Sequence, residues 1–192
     1  MLQIGLLLSI ALLVGVDQLT KYLLVLYLDK QQPFPLIPEV FELQYSENTG
    51  AAFGILKNHP WVFMSITIVV LVVLTAVLMS GRYRRYKLAN ISGVLIVAGG
   101  AGNMIDRIFR GYVVDFLYFK PINFPIFNFA DCCIVIGAAL LLIFFFFIYR
   151  EDGARPAPQM EEEEPLQPVS EELPASEPSD TAPDGRDGGG EA

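Results

Sequence analysis

The segment Asp131-Cys-Cys-Ile-Val-Ile-Gly-Ala-Ala-Leu-Leu-Leu-Ile-Phe-Phe-Phe-Phe-Ile-Tyr149 carries a single charged residue, at its first position. A bilayer core about 30 Å thick needs roughly 20 apolar residues in a helix, because each residue advances the helix by about 1.5 Å. The segment meets this requirement. It therefore predicts a transmembrane helix that begins with an aspartate.

Three further segments have comparable length and apolarity, at about 2–26, 62–79 and 88–105. With 53% apolar residues and a mean hydropathy of +0.46, the chain is too apolar for an ordinary small soluble domain. We therefore predict an all-α polytopic membrane protein with four transmembrane helices. The first segment has no Lys or Arg before its apolar core and no small-x-small cleavage site, so we interpret it as a permanent helix.

Basic residues in the short loops predict the orientation of the helices. The link between the second and third segments contains Arg82, Arg84, Arg85 and Lys87. Cytoplasmic loops of membrane proteins carry an excess of Lys and Arg. This link is therefore predicted to be cytoplasmic, with both termini on the same side and the loops at about 27–61 and 106–130 on the extracytoplasmic side.

These two outer loops are predicted to form a small structured cap. Residues 40–45 alternate apolar and polar side chains, the period of a half-buried strand, and follow three prolines that we interpret as breakers. Residues 112–119 are β-branched and aromatic, which favours a second strand. Residues 48–56 are interpreted as a short interfacial helix. Together they predict an extracytoplasmic β-sheet and loop-helix cap.

The composition changes abruptly after Arg150. Residues 1–150 hold 11 basic and 8 acidic residues, a net charge of +3, whereas residues 151–192 hold 2 and 13, a net charge of −11. The second segment is rich in Pro, Glu, Gly and Ser and cannot bury enough apolar surface to offset its conformational entropy. We predict a membrane domain at 1–150 and a disordered acidic cytoplasmic tail at 151–192.

Two carboxylates of the membrane domain have evident cationic partners. Ionisable groups in membrane helices are costly, so each one needs a physical reason. Lys21 lies four residues after Asp17 and therefore on the same helix face. Asp106 is followed at once by Arg107. We interpret both aspartates as ion-paired structural charges.

Asp115 and Asp131 lack such neighbours and are predicted at the same outer level of the membrane, among apolar residues. For Asp131 a helix-capping role remains open. Two carboxylates close together in low-dielectric surroundings cannot both ionise, so they share a proton. The ionised member can activate water while the protonated member polarises a peptide carbonyl, which predicts an aspartic peptidase.

Other chemistries have less support in the sequence. The single histidine, His59, lies beside Pro60 in a loop and suggests no Ser-His or Cys-His pair. No cluster has the spacing of zinc ligands, so we expect neither a metal nor a cofactor. A small proton- or ion-coupled transporter, in which the membrane carboxylates act as relay sites, remains the alternative.

Five motifs, in order along residues 1 to about 150, resemble the lipoprotein signal peptidase (signal peptidase II) family. They are Asp17-Gln-Leu-Thr-Lys21, Asn48-Thr-Gly-Ala-Ala-Phe53, Gly99-Gly-Ala-Gly-Asn-Met-Ile-Asp-Arg107, Gly111-Tyr-Val-Val-Asp-Phe116 and Phe127-Asn-Phe-Ala-Asp131. The acidic tail departs from the family pattern, whose core does not need it.

The resemblance implies roles that the residues alone leave open. It implies a bacterial inner-membrane endopeptidase that cleaves diacylglyceryl-modified prolipoproteins before the lipid-bearing cysteine, in contact with membrane lipids, inhibited by globomycin and without a nucleic-acid partner. It implies that Asp115 and Asp131 are the catalytic dyad. The implied supporting residues are Asn48, Asn103, Arg107 and Asn128, and the implied structural residues near the site are Asp17 and Lys21.

Overall fold

The computed structural model describes residues 2–50 and 60–149. The helices are α1 (Leu2–Tyr27), α2 (Pro60–Met79), α3 (Lys87–Arg110) and α4 (Phe129–Ile143), and the last continues as π-helical turns over Phe144–Tyr149. The strands are β1 (Phe34–Ile37), β2 (Phe41–Asn48) and β3 (Val113–Phe119), and a 3₁₀ turn covers Lys120–Ile122. The predicted tail at 151–192, residues 51–56 of the predicted loop helix, and His59 lie outside the described residues. The predicted start of that helix was wrong, because Asn48 is the last residue of β2.

Within the described ranges, three helical stretches are long and apolar enough to cross a membrane: α1, α3 and Phe129–Tyr149. The second helix is apolar over the shorter stretch Met64–Met79. The structure thus confirms a mostly helical membrane protein, while the count of four spans stays a prediction. In the most apolar 18-residue stretch of α3, 61% of the residues are buried inside the protein, whereas in that of α1 only 6% are. The third helix, α3, is therefore the central one.

Small residues let α4 approach the central helix at backbone distance. A Cβ atom on Gly99 would clash with the backbone carbonyl oxygen of Ala130, and one on Gly137 would lie 2.9 Å from the backbone carbonyl oxygen of Ser92. Such distances exclude any side chain at these two glycines. The close packing brings the first turn of α4 against the part of α3 that carries Asn103.

The three strands form one antiparallel sheet in the order β1-β2-β3. The two predicted strands are confirmed by β2 and β3. The interpretation of the preceding prolines as breakers was wrong at Pro35, which lies inside β1. An edge strand tolerates proline because one side of it has no neighbour to receive an N–H group, and the register of β1 shifts between Pro35 and Ile37.

Candidate active site

The first candidate aspartate is held by the sheet. Asp115 lies on β3 opposite Ser46 of β2, and only 2% of it is exposed. Asn48, at the end of β2, donates a hydrogen bond from Nδ2 to Oδ2 of Asp115 at 2.9 Å. The pairing of two strands from distant loops therefore brings Asn48 to Asp115.

The second candidate aspartate, Asp131, takes part in a capping box at the start of α4. Asn128 is the N-cap, and its Oδ1 accepts the backbone N–H of Asp131 at 3.0 Å. In return, Oδ2 of Asp131 accepts the backbone N–H of Asn128 at 3.1 Å. This reciprocal pair satisfies two N–H groups at the start of a helix. The capping role left open for Asp131 is thus confirmed.

Asn128 also links the two candidate aspartates. Because its oxygen faces the backbone, its Nδ2 points into the site, where it donates to Oδ1 of Asp115 at 2.6 Å and to Oδ1 of Asn103 at 3.1 Å. Asn103 in turn donates from Nδ2 to Oδ1 of Asp131 at 2.7 Å. The side chains of Asn128 and Asn103 therefore bridge the two carboxyl groups. Both oxygens of Asp115 and both oxygens of Asp131 accept a hydrogen bond.

Arg107 extends the site towards the residues that follow β2. It donates to the carbonyl oxygens of Asn103 at 3.3 Å and of Gly50 at 3.4 Å. Its positive charge also acts on both Asp115 and Asp131. The structure thus brings together all six residues that the resemblance implied for catalysis and support.

The electrostatic environment of Asp115 favours its protonated form. The pKa of Asp115 is raised to about 6, chiefly because burial disfavours the charged form and also because of the negative charge of Asp131. The hydrogen bonds from Asn48 and Asn128 and the positive charge of Lys21 oppose the rise. A carboxyl group in an apolar site loses the solvation that its charged form needs. Asp131 is partly exposed and lies at a helix N-terminus, where the helix dipole stabilises negative charge.

A second group of charges lies behind the candidate pair. Lys21 forms ion pairs with Asp17 and with Asp106, both at 2.9 Å, and Asp106 also meets Arg110 at 3.5 Å. The prediction that the two aspartates are ion-paired is confirmed, although the cation shared by both is Lys21. Gln18 donates to Oδ2 of Asp17 at 3.1 Å.

Sequence reasoning did not place Asp106 near the site. Its Oδ2 accepts the backbone N–H of Val114, directly before Asp115, at 3.3 Å. The available signal was its spacing: Asp106 follows Asn103 by three residues, so the two lie on the same helix face. Among the residues that the structure describes, no group of three or more His, Cys, Asp and Glu side chains has the arrangement of a metal site.

The fold and the site together define a class of protein. Two carboxyl groups are joined by amide bridges, one is buried with a raised pKa, and a cation lies near both. Such a pair can hold one proton between its members and activate water without forming a covalent intermediate. On a scaffold of apolar helices, this arrangement is that of a membrane aspartic peptidase.

Comparisons with known proteins agree with this class. Residues 9–147 match the family described as signal peptidase (SPase) II. A lipoprotein signal peptidase of Brevibacillus brevis is 44% identical over 126 residues, which cover 65% of this chain and 83% of the relative. One of Streptococcus agalactiae serotype Ia is 46% identical over 120 residues, which cover 62% and 77%.

Solved structures give the same result. One described as a bacterial membrane enzyme superposes with a TM-score of 0.71 at 30% identity and covers 80% of this chain and 94% of that one. A second superposes with a TM-score of 0.68 at 32% identity. The chain belongs to the signal peptidase II family of aspartic peptidases. The alternative of an ion-coupled transporter has no support from these comparisons.

Proposed function

We propose that Asp115 and Asp131 are the catalytic dyad and that the substrate is a diacylglyceryl-modified bacterial prolipoprotein, cut before its lipid-bearing cysteine. The observation that carries the assignment is Asn128, whose side chain donates to Asp115 and caps the helix turn that holds Asp131. This contact holds the two carboxyl groups in one site. The name that the relatives share, lipoprotein signal peptidase, supports the substrate class.

In the proposed reaction, ionised Asp131 takes a proton from water, and the water oxygen bonds to the scissile carbonyl carbon. Protonated Asp115 donates a hydrogen bond to the carbonyl oxygen as that oxygen gains negative charge. The C–N bond of the tetrahedral intermediate then breaks, and a protonated aspartate gives its proton to the leaving nitrogen. Asn48, Asn103, Arg107 and Asn128 hold the pair and the substrate backbone in place.

The membrane arrangement is part of the proposal. We propose that α2 also crosses the membrane, which gives four spans in total. The link that contains Arg82, Arg84, Arg85 and Lys87 then lies in the cytoplasm, and the site lies on the extracytoplasmic side of the inner membrane. The charge of that link supports this orientation. Both termini are then cytoplasmic, and the lipid chains of the substrate stay in the bilayer between helices. Binding of the lipid can then orient the peptide at the cleaved bond.

The decisive experiment is cleavage of a synthetic diacylglyceryl-modified prolipoprotein by the purified full chain in detergent, with EDTA present throughout. Metal-independent cleavage directly before the modified cysteine, blocked by globomycin, is the expected result. A matched peptide without the lipid should be cut far more slowly, because it lacks the group whose binding orients the peptide at the cleaved bond. Absence of cleavage by folded, monodisperse protein contradicts the proposed function.

The raised pKa of Asp115 predicts how cleavage depends on pH. A pKa of about 6 means that Asp115 loses its proton as the pH rises through that value. Since the reaction needs this proton, kcat/KM should fall with rising pH, approaching about tenfold per pH unit well above pH 6. A profile measured from about pH 5 to about pH 8 checks this, with thermal unfolding at each pH as the control for stability. A rate that stays constant over this range contradicts the assignment of the proton to Asp115.

The segment at 151–192 is proposed to be dispensable for cleavage. The family match ends at residue 147, before the acidic segment begins. A chain that ends at Arg150 should therefore cleave the same substrate with kcat/KM within about threefold of that of the full chain. The two proteins are compared side by side in the same detergent. A large loss of cleavage by the shortened, folded chain would assign the segment a direct part in the reaction.

A further inference from the structure

Lys21 is enclosed by three oxygen acceptors. None of its surface is exposed, and its Nζ contacts Oδ2 of Asp17, Oδ2 of Asp106 and Oδ1 of Asn103, each at 2.9 Å. A lysine ammonium has three N–H donors and no acceptor. The three contacts therefore use its full donor capacity.

The contact with Asn103 determines which way that amide faces. Because Lys21 can only donate, the atom of Asn103 that it meets must be the oxygen. The amide nitrogen then faces Asp131 and donates to its Oδ1 at 2.7 Å. If the amide turned over, its oxygen would face the carboxylate and its nitrogen would face the ammonium.

The two acidic partners of Lys21 each hold the backbone next to one candidate catalytic residue. Oδ1 of Asp17 accepts the N–H of Ala130, directly before Asp131, at 3.1 Å. Oδ2 of Asp106 accepts the N–H of Val114, directly before Asp115, at 3.3 Å. A second, fully buried pair of carboxylates thus lies behind the first.

We propose that Lys21 is a positioning residue for the peptidase reaction. Through Asp17 and Asp106, it sets the separation of the carboxyl groups of Asp115 and Asp131. Through Asn103, it sets which amide atom faces Asp131. The proposal rests on the proposed catalytic dyad. Misplacement of a reacting group by about 1 Å can lower a rate by about 100-fold. Loss of Lys21 should therefore lower kcat more than it changes KM.

The test uses the full chain with Lys21→Met combined with Asp106→Asn. Removing Lys21 alone would leave two buried carboxylates without their shared cation, which endangers folding. The double variant removes one positive and one negative charge, so the net charge of the cluster stays that of the wild type. Asp17 keeps its hydrogen bonds from Gln18 and Ala130. Lys87→Met, at an exposed lysine, is the matched control.

The expected result is a folded double variant whose kcat falls by about 100-fold while KM changes by less than about threefold. Wild-type kcat in the folded double variant overturns the proposal, and so does a change confined to KM. A merely structural role would lower the unfolding temperature and leave kcat per folded molecule unchanged.

Asp106→Asn alone keeps the proposal testable if the double variant does not fold. It retains the ion pair between Lys21 and Asp17 but weakens the hold on Val114, and kcat should fall by about tenfold. An unchanged kcat overturns the proposal. Asp115→Asn and Asp131→Asn are measured in parallel, because retained cleavage in either one contradicts the dyad itself, whatever the result at Lys21.

Discussion

Asp115→Asn and Asp131→Asn should each lower the rate of prolipoprotein cleavage by at least about 1000-fold while the protein remains folded and inserted in the membrane. Positioned proton transfer contributes about 10² to 10⁴ to enzymatic rates, and an amide side chain can neither take a proton from water nor give one to the leaving nitrogen. Asparagine has nearly the size of aspartate, so the helices and sheet around the site keep their packing. The measurement is single-turnover cleavage of the diacylglyceryl-modified substrate.

The matched control for these variants is Asp29→Asn. Asp29 is exposed and accepts the backbone N–H of Gln31 at 2.8 Å, away from the amide bridges of the site. The same chemical change there should leave the rate within about threefold of the wild type. Cleavage by either dyad variant at a rate near that of the control would remove Asp115 or Asp131 from the proposed mechanism.

Asn128→Ala should lower both the stability and the rate, through two separable effects. The variant loses the N-cap of α4, which costs about 1 kcal/mol, and withdraws a donor from the buried carboxyl group of Asp115, which costs about 1 to 3 kcal/mol. It also removes the bridge between the two aspartates, so kcat should fall by about 100-fold. Thermal unfolding and single-turnover cleavage measure the two effects.

Two further variants separate capping from bridging. Serine caps helices well but has no amide nitrogen, so Asn128→Ser should recover much of the stability and little of the rate. Asn90→Ala removes a buried asparagine that donates to backbone carbonyls at the other end of α3, and should lower stability while leaving kcat unchanged. Full activity in Asn128→Ser would show that the bridge is not needed for catalysis.

The sequence alone determined the parts of the molecule that depend on local pattern. Runs of apolar residues long enough to cross a bilayer identified the helices. Alternation of apolar and polar side chains identified β2, and a run of β-branched and aromatic residues identified β3. The spacing of four residues paired Lys21 with Asp17. The five motifs, taken together, identified the family that the comparisons then established.

Local pattern was less informative where a residue has several possible partners. Nothing adjacent to Pro35 indicated a strand, because only the neighbouring β2 provides the edge at which a proline is tolerated. Asp106 was paired with the arginine next to it in sequence, whereas the structure pairs it with Lys21 from another helix. Short-range spacing identifies candidate partners, and packing selects among them.

Only the tertiary structure decided how the site is connected. Asn128 reaches Asp115 from a different element, and Asp17 meets the N–H of Ala130 across 113 positions of sequence. Such contacts depend on Gly99 and Gly102 admitting α4 and the Asp17 carboxylate at distances that any side chain would block. Hydrogen bonds act over about 3 Å, so their partners are set by helix packing and strand register, which no single segment of sequence specifies.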